Sequence, residues 1–307
     1  MTTFPARSVR VGTRGSALAL VQTRAVIAAL LAGQPDLECR EVVISTRGDR
    51  DVDRPFAAIG SRGIFAQEIE AALLAGRIDL AVHSLKDLAS DLPNGLMIGA
   101  VPPRADPRDA LAAAGANTLT TLPPGACLAT SSIRRAALLR HLRPDLRIEP
   151  IRGNVPTRLR KARDLGYDGV VLACAGLDRL GLGEAIAERL DPAVYLPEAG
   201  QGAIAVEVRS ADAEMRDQLM SISDPVTAAC CAAERACVRR LEGSCRTPIA
   251  AYAVHDEAGL WLRGLVCSPD GQRLLQVERR GDIGSPEALG LTVAEELLVA
   301  GAAELLA

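Results

Sequence analysis

Aromatic side chains are nearly absent from this chain: one Trp, three Tyr and three Phe make up 2% of 307 residues. A flat, ring-shaped ligand could therefore not be held mainly by stacking; aliphatic packing, arginine faces and hydrogen bonds have to serve. Lysine is just as scarce, standing only at positions 86 and 161 while arginine fills the other cationic sites. A compact ammonium does not replace a planar guanidinium, so Lys86 stands out. The net charge of −3 excludes the global basic field of a nucleic-acid binder, and no nucleic-acid partner is expected. An anionic ligand would need local arginine clusters. No run approaches the ~18 apolar residues of a membrane span, and the first residues lack the apolar core of a signal peptide; a cytoplasmic protein without a membrane partner is expected. The eight cysteines, at 39, 127, 174, 230, 231, 237, 245 and 267, contain no Cys-x-x-Cys pair, and there are three histidines. No metal site is expected from that pattern.

What is present is ordinary globular material, 49% hydrophobic and 24% charged, long enough for two or three domains of roughly 100–150 residues. The stretch Ile78-Asp-Leu-Ala-Val-His-Ser-Leu-Lys-Asp87 organises it. Ile78–Val82 is an apolar run of strand length. A strand ending in His83-Ser84-Leu85-Lys86-Asp87 puts reactive groups at the carboxyl edge of a sheet, where open α/β folds bind ligands. In an extended segment Lys86 and Asp87 would face opposite ways; in a turn both can rim one cleft.

Before it, Val9–Gly12 reads as a strand, and Thr13-Arg-Gly-Ser16 leads into a helix over about 17–31 with Ser16 as N-cap. Arg14 and Ser16 then sit at a helix start suited to an anion. Residues 41–45 read as a strand. Residues 46–62 are polar and without periodicity, the pattern of a lid or binding loop, and 64–75 as an amphipathic helix. Another strand covers 96–101. Pro102-Pro103 and Asp106-Pro107 mark a boundary. After it the alternation repeats: strands over 126–129, 147–151 and 169–173, each followed by a helix. That spacing implies mainly parallel sheets with helices on both faces.

This second block uses one device twice. Thr130, Ser131 and Ser132 open a helix carrying Arg134 and Arg135; Arg152-Gly-Asn154 opens another carrying Arg158. Hydroxyls, free backbone N–H groups and bidentate forks are what carboxylates or phosphates require. Either instance alone is also how a solvated helix start looks; two together, beside Lys86 and Arg14, point to a ligand with several anionic groups. The Gly-rich loop Leu196–Gly202 precedes a strand and lacks the Lys-Ser/Thr of a phosphate loop. It is read as carrying the chain back to the first sheet, and two such crossings would make a hinged cleft. The remainder reads as a helix over 224–241, three strands over about 249–255, 260–267 and 273–280, and a closing helix over 286–306. Cys245, between Gly243-Ser244 and Thr247-Pro248, falls on a tight loop beside Arg246, where a thiol can serve as nucleophile or attachment point.

Together, Arg10-Val-Gly-Thr-Arg-Gly-Ser16, Val82-His-Ser-Leu-Lys-Asp87, Thr130-Ser-Ser-Ile-Arg-Arg135, Arg152-Gly-Asn154 with Thr157-Arg-Leu159, Gly200-Gln-Gly202 and Leu241-Glu-Gly-Ser-Cys245 resemble the porphobilinogen deaminase (hydroxymethylbilane synthase) family. The resemblance implies an α/β fold of two periplasmic-binding-protein-like doubly wound domains plus a small α+β C-terminal domain. The boundaries expected are 1–101 with 200–222, then 102–199, then 223–307. It implies a monomeric enzyme of tetrapyrrole biosynthesis that joins four porphobilinogen molecules head to tail, releases ammonia each time, and frees a linear hydroxymethylbilane with water. Its cofactor would be a dipyrromethane bound by a thioether to Cys245, and its catalytic carboxylate Asp87. Ser84, Lys86, Asp87, Thr130, Ser131, Ser132, Arg134 and Arg135 match cofactor-binding positions, and Arg14, Ser16, Arg152 and Arg158 match positions lining the substrate site. The chemistry agrees: each pyrrole brings two carboxylates, and a fixed carboxylate can stabilise the cation left by ammonia and shuttle a proton. Three positions depart from the family's usual pattern. Ala58 and Arg62 stand where its lid often carries lysines, and Ala89 where the turn after the acid often carries proline. The alternatives are a two-lobed carboxylate-binding module that needs neither Cys245 nor Asp87, and a phosphate-transfer enzyme, disfavoured by the absence of a Walker-type loop.

Overall fold

The computed structural model describes residues 8–50, 66–113, 117–241 and 247–306. Cys245 and the positions 58 and 62 of the expected lid lie outside the described residues. Two compact units result: 8–50, 66–104 and 203–228 in the first, and 105–113, 117–202, 229–241 and 247–306 in the second.

The first unit is built from β1 (Ser8–Thr13), α1 (Ala17–Gly33), β2 (Glu38–Val43), the short α2 (Arg47–Arg50), α3 (Gln67–Leu74), β3 (Leu80–Ser84) and β4 (Leu96–Ala100). Its sheet has the order β2-β1-β3-β10-β4, completed by β10 (Ile204–Arg209). β1 pairs in parallel with β2 and β3, whereas β10 runs antiparallel to both its neighbours. One face, with Val11, Leu80, Val82, Val206 and Val208, buries Val26 and Leu30 of α1 and the apolar side of α7 (Ala213–Met220). The other face packs Ala81 against Ile69, Ala72 and Leu73 of α3.

The second unit repeats the plan. β5 (Asp109–Ala113), β6 (Cys127–Ala129), α4 (Ile133–Leu142), β7 (Arg147–Glu149), α5 (Val155–Asp164), β8 (Gly169–Ala173), α6 (Cys174–Arg179) and β9 (Glu188–Arg189) give a sheet of order β7-β6-β8-β5-β9. In each sheet three parallel strands are followed by one antiparallel strand in fourth place. That fourth strand is the first one formed after the chain changes unit: β5 on the way in, β10 on the way back. The expectation of mainly parallel sheets holds, since four of the five strands in each sheet run one way, and the single reversed strand makes both sheets mixed. β5 escaped notice because Asp-Ala-Leu-Ala-Ala has no β-branched or aromatic residue; burial of its first four residues, not propensity, makes it a strand.

The C-terminal part is α+β, as expected. α8 (Pro225–Arg240) leads to an antiparallel sheet of β11 (Ile249–Asp256), β12 (Gly259–Cys267) and β13 (Leu274–Gly281), covered by α9 (Pro286–Val299) and α10 (Ala302–Leu306). The closing helix is split rather than continuous, since Gly301 takes φ 98°, a left-handed conformation that ends a helix. Ala250, Leu265 and Cys267 of this sheet share a core with Leu138 and Leu139 of α4. Glu234 of α8 is fully buried, and its two oxygens accept from the N–H groups of Gly200 at 2.7 Å and Ala253 at 2.8 Å.

Helix α9 crosses α8 at Gly290, where a Cβ would fall on the carbonyl oxygen of Ala233 and within 2.9 Å of Cys237 N. Gly to Ala inside a helix normally stabilises by about 0.5–1 kcal/mol. Here the neighbour is backbone and cannot yield, so Gly290→Ala should destabilise, by about 1–3 kcal/mol. Chemical denaturation should show a lower midpoint at unchanged slope.

Candidate functional site

In a sheet of order 2-1-3 the strand order reverses between the first and third strands, and ligands bind at the carboxyl ends there. β1 and β3 are those strands in the first unit. After β1 the chain turns through Arg14 to Ser16, whose hydroxyl caps α1 by accepting from Ala19 N–H at 3.3 Å. After β3 it makes a single 3-10 turn, Leu85–Asp87, closed by Leu88 N–H on Leu85 O at 3.2 Å. Leu85 and Leu88 are buried, and Leu85 N–H bonds Ala203 O at 3.1 Å. The turn is thus clamped between two core anchors without a proline at position 89.

These segments enclose a recess of about 420 Å³, measured out to open solvent and lined by Arg14, Ser16, Leu18, Ala19, Gln22, Ala66, Val82, His83, Ser84 and Asp87. Four expected site residues, Arg14, Ser16, Ser84 and Asp87, therefore meet in one place. Ser84 is held to Gln22 of α1, its Oγ accepting from Nε2 at 3.0 Å. Lys86, half-buried in the same turn, is not among the lining residues.

In the second unit the two predicted helix starts are both present. Ser132 caps α4, accepting from Arg135 N–H, and Asn154 caps α5, accepting from Thr157 N–H at 3.0 Å. Ser131 joins them: its Oγ donates to Ile151 O and accepts from Ile151 N–H. Gly153 adopts φ 124°, and Arg158 Nε donates to Gly153 O at 2.6 Å. Thr130, Ser131, Ser132 and Arg152 thus lie on two adjoining loops after β6 and β7, which are parallel neighbours, and Arg158 stands near the start of α5.

Arg134 and Arg135 are placed differently from the expected open forks. Both are buried, at 3% and 5% exposure, around Asp109 at the start of β5. Arg134 Nη2 donates to Asp109 Oδ2 at 2.7 Å and Nη1 to Leu196 O at 2.8 Å. Arg135 Nε donates to Asp109 Oδ1 at 2.9 Å, Nη1 to Val171 O and Nη2 to Gln201 Oε1. Gln201 Nε2 also donates to Asp109 Oδ1, at 2.9 Å, and Tyr195 OH to Arg135 O. Arg134 Nε is buried without a hydrogen-bond partner in the protein, among the described residues. Burial pushes the Asp109 carboxyl up, but the two guanidinium groups and Gln201 outweigh it and hold the pKa at about 2.

Sequence reasoning missed Asp109, and also Glu70 and Glu207 behind the first recess. The available signal was an acid inside or opening an otherwise apolar strand: Asp109 before Ala-Leu-Ala-Ala, and Glu207 within Ile204–Val208. Such a residue needs a buried partner.

Taken by itself, this is an α/β protein with a carboxylate just past a strand end in one unit and a cluster of arginines and hydroxyls in the other. The comparisons make it specific. Residues 9–217 match the family described as "Porphobilinogen deaminase, dipyromethane cofactor binding domain", and residues 228–299 match "Porphobilinogen deaminase, C-terminal domain". The protein named porphobilinogen deaminase from Sorangium cellulosum is 50% identical over 93% of this chain and 96% of its own. That from Roseiflexus castenholzii is 50% identical over 98% and 99%, and that from Moorella thermoacetica 47% over 97% and 95%. Among solved structures, the BenM effector-binding domain with benzoate aligns over 70% of this chain and 90% of its own, at a TM-score of 0.44 and 15% identity. The chain belongs to the porphobilinogen deaminase family.

Removing the central anion of the arginine cluster would leave two buried guanidinium groups facing each other. Asp109→Asn should therefore cost about 3–5 kcal/mol. Because the folded-state pKa is depressed to about 2, the Asp109 contribution is fully present above the unfolded value near 3.9 and lost as pH falls toward 2. Denaturation measured from pH 6 to 2 should show the wild type losing stability over that window and the variant losing less.

Proposed function

We propose that this chain joins four porphobilinogen molecules head to tail, with one ammonia released per addition, and frees hydroxymethylbilane with water in tetrapyrrole biosynthesis. Family membership over nearly the whole chain carries the reading; the presence of Asp87 in a recess with Arg14, Ser16 and Ser84 supports it. No helix among the described residues is long and apolar enough to cross a membrane; the protein acts in the cytoplasm as a monomer. Its domains are 1–101 with 200–222, 102–199, and 223–307.

A dipyrromethane fits the donor set. Made from two porphobilinogen units, it carries several carboxylates, and the second unit offers capping hydroxyls, two helix N-termini and buried arginines, one with an orphaned Nε. Thr130, Ser131, Ser132, Arg134 and Arg135 hold its carboxylates, with Ser84 and Lys86; the attachment point is Cys245. When bound, it supplies the pyrrole carbon that receives the first substrate unit.

Arg14, Ser16, Arg152 and Arg158 bind the carboxylates of incoming porphobilinogen. The aminomethyl C–N bond breaks with its electron pair leaving on ammonia, and the carbon becomes a cation. Asp87, fixed by the leucine-clamped turn, stabilises that positive charge and, after the new C–C bond forms, accepts the ring proton and passes it on. A carboxylate held in place costs no reorganisation at that moment, which is why a fixed charge outperforms water.

Asp87→Asn should keep the fold and the cofactor but lower kcat by about 10²–10⁴; near-normal product formation would remove Asp87 from this role. The intact mass of the purified protein should exceed that of its sequence by a dipyrromethane, and Cys245→Ser should weigh as its sequence alone. A wild type without added mass that still binds polycarboxylates would instead mark a carboxylate-binding module.

A further inference from the structure

Behind the recess that contains Asp87 lies a second set of ionisable groups that the reaction as described does not use. β3 and β10 are antiparallel with Ala205 opposite His83 and Glu207 opposite Ala81. His83 and Glu207 are thus diagonal neighbours on one face of the sheet, the face covered by α3. His83 Nε2 and Glu207 Oε2 are 3.2 Å apart, close enough for an ion pair but out of line for a hydrogen bond. Glu207 is fully buried, and neither of its oxygens has a hydrogen-bond partner among the described residues. Glu70 is on α3, which packs against both β3 and β10; it stands one turn beyond the recess-lining Ala66 and is 6% exposed. His83 itself lines the recess.

Two buried carboxylates sharing one imidazole cannot both stay charged without cost. Burial, with the charge of Glu207 added and that of His83 opposing, pushes the Glu70 carboxyl up to about 7. The remaining charged groups on β1, β10 and α3 are engaged elsewhere, and Lys86 follows β3 in the adjoining turn, half-buried. Arg10 pairs with Asp79 at 2.8 Å, Arg209 with Asp212 at 3.0 Å, and Glu68 accepts from Arg47 N–H at 2.9 Å. Among the described residues that line the recess, Arg14 and Asp87 are the other charged groups.

We propose that Glu70, His83 and Glu207 form one proton-holding unit behind the recess, and that loss of its proton makes the field at Asp87 more negative and speeds the step in which cationic charge develops. The three are positioning residues: they act through the field on the substrate side of His83. The idea rests on the assignment of Asp87 as the acid facing that cation. The sign follows from charge. With Glu70 protonated the trio holds one negative charge fewer, and the cation is less well stabilised; with Glu70 ionised it is stabilised more.

Two measurements test this. In the loaded wild type, a titration of the glutamate side-chain carbonyls by ¹³C NMR should give Glu70 a midpoint near 7, and Glu207→Gln should move it down by roughly one unit or more. In the pH profile of kcat, the wild type should rise as Glu70 ionises. Glu70→Gln should flatten that rise and stay on the order of tenfold below the wild-type plateau, whereas Glu70→Asp should restore a rise. A Glu70 midpoint in the ordinary range near 4.3, or an unchanged rise in Glu70→Gln, would overturn the proposal. The NMR midpoint needs only wild-type protein, so a Glu70→Gln chain that fails to fold leaves the test intact. Normal turnover by Asp87→Asn would instead sink the assignment of the acid, a result distinct from either reading of Glu70.

Discussion

Asp109 between Arg134 and Arg135 is the contact on which the second unit depends. Two guanidinium groups cannot be buried within reach of one another unless an anion separates them. Asp109 supplies that anion from the chain itself, at the first residue of β5, and Gln201 and two backbone carbonyls take up further donors. The arginines are thereby fixed by the chain itself, and in their proposed role as carboxylate holders they would not first have to be ordered on binding. A protein of net charge −3 that handles a growing polyanion needs concentrated positive charge. Burying it against one internal carboxylate is a way to concentrate it without unfolding the sheet that carries it.

The same logic appears with opposite sign in the first unit. There, two carboxylates are gathered around one imidazole on the buried face of the sheet, and a third, Asp87, stands in the recess. One unit thus concentrates positive charge near hydroxyls and helix starts, the other negative charge at a strand end. That division suits a substrate whose periphery is anionic and whose reacting carbon becomes cationic.

Much of this was legible in the sequence. The strands and caps of α1, α4 and α5 follow from apolar runs ended by Ser16, Ser132 and Asn154, and the carboxyl-edge position of Ser84 and Asp87 from the run 78–82. What was not legible came from long-range pairing. β2 begins at Glu38 because Ser8–Thr13 pairs with it residue by residue, not because residues 38–40 are apolar. β5 is a strand of alanines only because it fills a gap between β8 and β9. Arg134 and Arg135 looked like exposed forks because nothing local announces that Asp109, some 25 residues earlier, will meet them. Cys245 rests on sequence and family alone.

One buried acid on α8, Glu234, grips the backbone at Gly200, in the segment leading into β10, and at Ala253, in the middle of β11. Fifty-three residues of chain thus close on a single side chain. Fraying of the small terminal sheet cannot stay local: it strips Glu234 of one partner and loosens the approach to the strand that borders β3. The amides of these two segments should accordingly open together as one cooperative unit.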